Sequence, residues 1–315
     1  MKPVVPMILR AQEDELALWY RHLPAALEDI AVLKPLDELS EAERTAAEVA
    51  IVANPDPKDV ASLPNLKWVQ SLWAGVERLV LELPEDGPRI VRLTDPQMAE
   101  TMSEAVLAWT LYLHRNMPRY ARQQRDRVWL EHPLKLPEER TVGILGLGKL
   151  GSQALARLRD HGFSVCGWSR TEKSFVGVET HHGTDGLKTV LSKSDILVLL
   201  MPLTAETRGM IGAEALSLLP DGASLINFAR GPIVDDEALL AALDSGRLDH
   251  AVLDVFVTEP LPEDHPYWSH PGVTVLPHIT APTIPATASR IVAQNIGAFL
   301  ATGTIPESVD RQRGY

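Results

Sequence analysis

The sequence predicts an α/β protein built from two doubly wound parallel-sheet domains, the first of them discontinuous. Three observations carry this. Short apolar runs alternate with helical patterns along the 315 residues, the order that lays helices on the faces of a parallel sheet. In the second half those runs are nearly continuous in Val, Ile and Leu, as strands covered on both faces require. Between them, residues 141–152 join an apolar run to a helical pattern through three closely spaced glycines.

The first part opens with a strand from Pro3 to Leu9, a helix from Glu13 to Leu23 and a second strand from Ile30 to Pro35. Val49 to Ala53 is a third strand. Trp68 to Leu72 is a fourth and ends in a small-residue turn, Trp73-Ala74-Gly75-Val76. Arg89 to Leu93 is the last short strand. A long helix is expected from about Met98 to Arg122, with Ala105, Ala108, Trp109, Leu111 and Tyr112 at helical spacing. After the glycine-rich turn, further buried strands are read at Phe163–Trp168, Ile196–Leu200, Ser224–Phe228, His250–Asp254 and Val273–Leu276. A final helix from about Ile284 to Leu300, with Ile291, Ile296 and Leu300 on one face, returns the chain to the first domain. The expected domains are 1–98 with 284–315, and 99–283.

Composition narrows the class. A hydrophobic share of 45% supports a real core in each domain. The net charge of −12 argues against a nucleic-acid partner or an anionic membrane surface. The single cysteine, Cys166, lies in an expected buried strand, so neither an internal disulfide nor a cysteine metal cluster is available. The first residues, Met1 to Leu9, form a strand-like run followed at once by Arg10, Glu13 and Asp14. No secretory pattern is seen there, and the apolar runs elsewhere are too short to span a bilayer. A cytoplasmic location is the expectation.

The glycine turn carries the first chemical assignment. Gly146, Gly148 and Gly151 fall in the G-x-G-x-x-G spacing, with Leu147, Lys149 and Leu150 between them. They follow a strand and open a helix on which Leu150, Ala154, Leu155 and Leu158 share a face. In that context the first glycine makes the tight turn, the second lets a pyrophosphate approach the backbone, and the third lets helix and sheet pack closely. The helix N-terminus adds unpaired N–H groups. A Rossmann-like dinucleotide site is expected over residues 146–151. At the end of the next strand, Trp168-Ser169-Arg170-Thr171 stands where a carboxylate would bind the ribose hydroxyls of NAD. A guanidinium and two hydroxyls suit a 2′-phosphate instead. NADP(H) is therefore the expected cofactor, with NAD(H) used at lower efficiency and Lys173 as a possible helper.

Three more residues follow later strands. Arg230 lies in Asn227-Phe228-Ala229-Arg230-Gly231, Glu259 in Asp254-Val255-Phe256-Val257-Thr258-Glu259-Pro260, and His278 in Pro277-His278-Ile279-Thr280-Ala281. In open α/β sheets ligands bind beyond the carboxyl ends of the strands, so these side chains are expected on one edge. The residue types fit reduction of a 2-keto acid. Arg230 can grip the carboxylate and carbonyl oxygen, His278 can donate a proton, and Glu259 can stabilise and orient the imidazolium.

These motifs, with Leu200-Met201-Pro202-Leu203-Thr204 and the terminal Val309-Asp310-Arg311-Gln312-Arg313-Gly314-Tyr315, resemble the D-isomer-specific 2-hydroxyacid dehydrogenase family. The resemblance is nearest to its glyoxylate/hydroxypyruvate reductase A-like branch. It implies Arg230, Glu259 and His278 as the catalytic trio, NADPH as the preferred reductant, and a homodimer. It implies reduction of glyoxylate to glycolate and of hydroxypyruvate to D-glycerate. It assigns 99–283 to the dinucleotide and 1–98 with 284–315 to the substrate, whose carboxylate meets Trp73, Ala74 and Gly75 as well as Arg230 and His278. A bulky Trp73 departs from the small residue of many relatives and would narrow the pocket toward small acids. Pro202 is expected at the adenosine side, Asp254 at the carboxamide, and Trp129 at a pocket of a partner subunit. The alternatives are a reductase of bulkier 2-keto acids and a nucleotide-sensing, corepressor-like interaction protein.

Overall fold

The computed structural model describes residues 2–311 and 314. Gln312, Arg313 and Tyr315 of the terminal motif lie outside the described residues. The chain divides into two compact units, Met1–Met98 with Thr283–Tyr315, and Ala99–Pro282. Both are Rossmann-like, with parallel sheets.

In the first unit five strands, β1 (Val4–Leu9), β2 (Val32–Pro35), β3 (Val49–Ala53), β4 (Trp68–Ser71) and β5 (Arg89–Val91), stand in the order β2-β1-β3-β4-β5. β3 and β4 are buried at every position, and β3 is accordingly apolar throughout. β4 carries two polar residues, and both are satisfied: Gln70 donates to the Ser71 carbonyl at 3.0 Å and accepts from Asn295 Nδ2 at 2.8 Å, and the Ser71 hydroxyl accepts from Trp73 N–H at 3.0 Å. One face is covered by the helix Glu13–Leu27, which buries Trp19, Leu23 and Leu27 at a spacing of four. The helix Pro285–Thr302 joins the same core through Ala288, Val292, Ile296 and Phe299. Leu300, expected on that face, is exposed instead. Proline opens this last helix and Gly303, at φ 72°, closes it in the left-handed region.

The second unit holds β6 (Thr141–Leu145), β7 (Ser164–Ser169), β8 (Glu179–His182), β9 (Ile196–Leu199), β10 (Ala223–Asn227), β11 (Leu248–Leu253) and β12 (Val273–Val275). Their order is β12-β11-β10-β9-β6-β7-β8. Alternate residues of the strands feed two cores. Leu145, Leu197, Leu199, Leu225 and Leu253 enter one, and Ile144, Ile196, Val198, Ile226 and Val252 enter the other. The sheet order reverses between β6 and β9, which puts the topological switch point at the turn after β6.

The structure corrects the long helix expected from Met98 to Arg122. It is two helices, Pro96–His114 and Met117–Asp126, broken at Asn116, which is left-handed at φ 56°, with Pro118 just beyond. Pro118 has no N–H to give the carbonyl four residues earlier and its ring crowds that carbonyl, so one helix cannot run through it, whereas the first turn of a new helix accepts it. The buried stripe of the first of these helices is Met102, Val106, Thr110 and Leu113, while the expected Ala108 and Leu111 face outward. Among the described residues no helix is long and apolar enough to cross a membrane.

Candidate active site

The turn after β6 is shaped by its glycines. Gly146 has φ 103°, and a Cβ there would lie 2.6 Å from the Met201 nitrogen. A Cβ on Gly151 would lie 1.9 Å from the Gly146 carbonyl oxygen, so the helix Lys149–Asp160 packs directly on the turn. Gly148 is different: nothing lies within 4 Å of the place its Cβ would take. It is also the N-cap of that helix and offers no side-chain cap. The result is an open cradle in front of uncapped helix N–H groups, which fits the pyrophosphate of a dinucleotide. Leu147 is buried against Gly167 and can offer only backbone outward. Lys149 and Leu150 form the first turn of the helix, Lys149 exposed and Leu150 half-buried on the core.

At the end of β7, Trp168 is buried and donates its indole N–H to the Gly183 carbonyl at 2.8 Å. The Ser169 hydroxyl donates to the Thr171 carbonyl at 2.6 Å, so its proton is committed within the loop. Arg170 and Thr171 are exposed. The Arg170 guanidinium lies 3.6 Å from a carboxylate oxygen of Glu206, a residue that sequence reasoning did not single out. Lys173 does not reach outward: its ammonium donates to the Leu147 carbonyl at 2.7 Å and ties the β7 loop to the glycine turn. Pro202 follows β9, and its carbonyl accepts from the Thr207 hydroxyl at 2.8 Å, closing a compact turn.

The later strands bring three loops together. After β10, the Asn227 side chain accepts from Ala229 N–H and donates to the Arg230 carbonyl, both at 3.1 Å. This zips the loop and presents Arg230, whose Nη1 donates to the Ala229 carbonyl at 2.7 Å. The next residue, Gly231, touches the loop that leads to Glu259: a Cβ on it would lie 2.0 Å from the Phe256 carbonyl carbon. Glu259 accepts from Phe256 N–H at 2.9 Å with one oxygen and shares a 2.7 Å hydrogen bond with His278 Nδ1 through the other.

His278 itself has φ 53°. The two residues after it are held by Asp254, 2% exposed, whose carboxylate oxygens accept from Ile279 N–H at 2.8 Å and Thr280 N–H at 2.9 Å. Both Asp254 oxygens thus work on the loop that carries His278. For a residue expected at a cofactor carboxamide, this loop-building role was not visible in the sequence.

The electrostatics follow the geometry. The hydrogen bond to Glu259 lifts His278 above the ordinary imidazole value. Burial works against this, the charges of Glu259 and Asp254 add to it, and Arg230 subtracts. For Glu259, burial opposes ionisation, but the bonds from His278 and Phe256 and the nearby Arg230 outweigh it and hold the carboxyl below its usual range. Arg230, Glu259 and His278 therefore act on one another. The arrangement provides an imidazole bound through Nδ1 to a carboxylate, within the electrostatic reach of the Arg230 cation.

In the other unit, the Trp73-Ala74-Gly75-Val76 turn connects β4 to the helix Glu77–Glu82. Trp73 N–H bonds to the Ser71 hydroxyl at 3.0 Å, and the ring meets Trp19 edge-on at 6.0 Å. Ala74 and Gly75 are half-buried. Trp129 is 96% exposed, in an extended segment that also exposes Val128, Leu130 and Leu134.

The model of the D-isomer specific 2-hydroxyacid dehydrogenase NAD binding domain matches residues 107–280. A D-isomer specific 2-hydroxyacid dehydrogenase from Xanthobacter autotrophicus Py2, solved with NADPH and MES, is 40% identical. The match covers 99% of each chain at a TM-score of 0.91. A probable 2-hydroxyacid dehydrogenase from Rhizobium etli CFN 42, solved with NADP, HEPES and L(+)-tartaric acid, is 34% identical over 100% of both chains at 0.88. An NADPH-dependent glyoxylate/hydroxypyruvate reductase from Sinorhizobium meliloti, solved with NADP and sulfate, is 31% identical over 100% of both chains at 0.85. With a family model across more than half its length and relatives matched from end to end, the chain belongs to the D-isomer specific 2-hydroxyacid dehydrogenase family.

Proposed function

We propose that the protein reduces small 2-keto acids with NADPH, converting glyoxylate to glycolate and hydroxypyruvate to D-glycerate, and uses NADH less efficiently. The observation that carries the reading is the 2.7 Å bond between His278 Nδ1 and Glu259, both of which feel the charge of Arg230. Arg230 holds the substrate carboxylate and polarises the keto oxygen. His278, whose proton affinity the Glu259 bond raises, gives its Nε2 proton to that oxygen as it gains charge. Glu259 stays ionised throughout and fixes the ring. The bound NADPH supplies the hydride that reaches the keto carbon.

Backbone N–H groups in the turn from Gly146 to Gly151 receive the pyrophosphate, Arg170 and Thr171 receive the 2′-phosphate on a loop braced by the Ser169 hydroxyl, and Pro202 flanks the adenosine. Asp254 stands at the carboxamide. Trp73, Ala74 and Gly75 are the substrate residues assigned to 1–98 with 284–315, and 99–283 is the unit assigned to the dinucleotide. Relatives crystallised with NADPH or NADP, one of them described as an NADPH-dependent glyoxylate/hydroxypyruvate reductase, support the cofactor and the substrate class. The exposed segment around Trp129 supports a homodimer in which that ring is covered by the partner, and a cytoplasmic location belongs to the same reading.

One observation favours a second reading, turnover of bulkier 2-keto acids. The Trp73 ring packs on Trp19 within its own unit, which weakens the argument that its bulk narrows a pocket. Loss of reduced-nicotinamide absorbance separates the readings, measured with glyoxylate, hydroxypyruvate, pyruvate and phenylpyruvate, each with NADPH and NADH. The expected result is the highest kcat/KM for glyoxylate or hydroxypyruvate with NADPH. Preference for phenylpyruvate selects the second reading. No turnover with any acid would point to a nucleotide-sensing, corepressor-like protein.

A further inference from the structure

The Arg170–Glu206 pair joins two loops that flank the glycine turn. Arg170 directly follows β7, and Glu206 lies in the loop after β9. In the sheet, β7 and β9 are the two neighbours of β6, so the pair links the loops on either side of the strand that feeds Gly146.

Glu206 is presented by a built turn. Thr204 N–H donates to the Thr207 hydroxyl at 2.8 Å, that hydroxyl reaches the Pro202 carbonyl at 2.8 Å, and Gly209 N–H donates to the Pro232 carbonyl at 2.8 Å. Both partners remain accessible, with 39% of the Arg170 side chain and 68% of the Glu206 side chain exposed. A carboxylate is thus held against the guanidinium that a 2′-phosphate would use.

We propose that Glu206 sets the discrimination between phosphorylated and unphosphorylated nicotinamide dinucleotides. It holds Arg170 when no 2′-phosphate is present and opposes that phosphate when it arrives. The inference rests on the reading of Arg170 as the 2′-phosphate ligand. A phosphate dianion must take the guanidinium from Glu206 and then sit near its negative charge. Binding of NADP(H) is weakened on both counts. The ribose 2′-hydroxyl of NAD(H) has the opposite need. In this fold its usual partner is an acidic acceptor, and β7 ends without one. A carboxylate brought from the neighbouring loop supplies that chemistry. Glu206 therefore keeps NAD(H) usable in a site whose β7 loop is made for NADP(H).

Isothermal titration of the purified full chain with NADP⁺ and with NAD⁺ tests this without reference to turnover. Glu206→Gln keeps the size and removes the charge. Exposed ion pairs are individually weak, so the expected change is a fall in the NADP⁺ dissociation constant of about two- to fivefold. The NAD⁺ constant rises, and a level or lower one overturns the part given to Glu206 at the ribose 2′-hydroxyl. An unchanged or raised NADP⁺ constant overturns the proposal, and so does an equal fall for both nucleotides, which would be a general charge effect. Arg170→Ala, titrated in parallel, separates this from the reading beneath it. If Arg170 grips the phosphate, that variant loses NADP⁺ affinity and keeps NAD⁺ affinity. If it changes neither, the assignment of Arg170 fails, and the role given to Glu206 is overturned with it.

Discussion

His278 takes a left-handed backbone conformation, φ 53°, and from it places Nδ1 2.7 Å from Oε2 of Glu259. A residue other than glycine is uncommon there and is kept there by its surroundings. Here the surroundings are the Asp254 carboxylate, which takes the next two N–H groups, and the Glu259 carboxylate, which takes the ring.

The proposed mechanism makes the reduction pH-dependent in one direction. With His278 as proton donor it needs the imidazolium form, so kcat/KM is expected to fall as pH rises through a pKa that the Glu259 bond raises. In Glu259→Gln the largest raising influence is gone, and the alkaline limb of the profile moves to lower pH. For the reverse oxidation, which needs neutral imidazole, the acidic limb moves the same way. His278→Gln keeps cofactor binding and loses about 10²–10⁴-fold in turnover. An unmoved limb in the Glu259 variant would show that the carboxylate does not set the proton affinity of the ring.

Gly231 fixes the distance between the Arg230 loop and the Glu259 loop. A Cβ there would meet backbone, 2.0 Å from the Phe256 carbonyl carbon and 2.4 Å from the Val257 nitrogen, so no side-chain rotation relieves it. Gly231→Ala must push one loop off the other. A displacement near an ångström at reacting groups costs on the order of 10²-fold, and the loss is expected in kcat with the keto acid. Nucleotide affinity changes little, because the cradle at Gly146 to Gly151 lies on a different turn. Rate and dissociation constant measured on the same preparation test this split.

Much of this site could be read from the sequence because its demands are local. The spacing of Gly146, Gly148 and Gly151 encodes a turn and two close approaches, and largely apolar strands of three to six residues deliver Arg230, Asp254 and His278. What escaped was set by contacts between distant segments. The edge strand Glu179–His182 is polar and has no alternation to announce it. Lys173 looked like a phosphate ligand by proximity to Arg170, but a carbonyl 26 residues away claims it. Glu206 has no local signature, since its meaning comes only from the guanidinium it faces. The break at Asn116 was legible in Pro118 and was masked by the apolar spacing around it.

The buried His250 in β11 should govern part of the stability toward acid. It is 3% exposed, its Nε2 lies 2.8 Å from the Thr274 hydroxyl, and its Nδ1 has no hydrogen-bond partner among the described residues. Burial, then the charge of Arg122, pushes its pKa down to about 4, against a weaker pull from Asp249. In the unfolded chain the ring takes a proton near the ordinary value of about 6.5. Between those two values the unfolded state binds more protons, so stability is full above the upper one and falls as pH drops toward the lower. The shift allows a loss of up to about 2 kcal/mol between roughly pH 7 and pH 5 from this residue alone. His250→Gln keeps a polar group for Thr274 and removes the titration. Urea unfolding at both pH values should show a smaller drop in the variant than in the parent, whatever the variant's starting stability. Equal drops would mean that the acid sensitivity arises from other groups and that His250 titrates alike in both states.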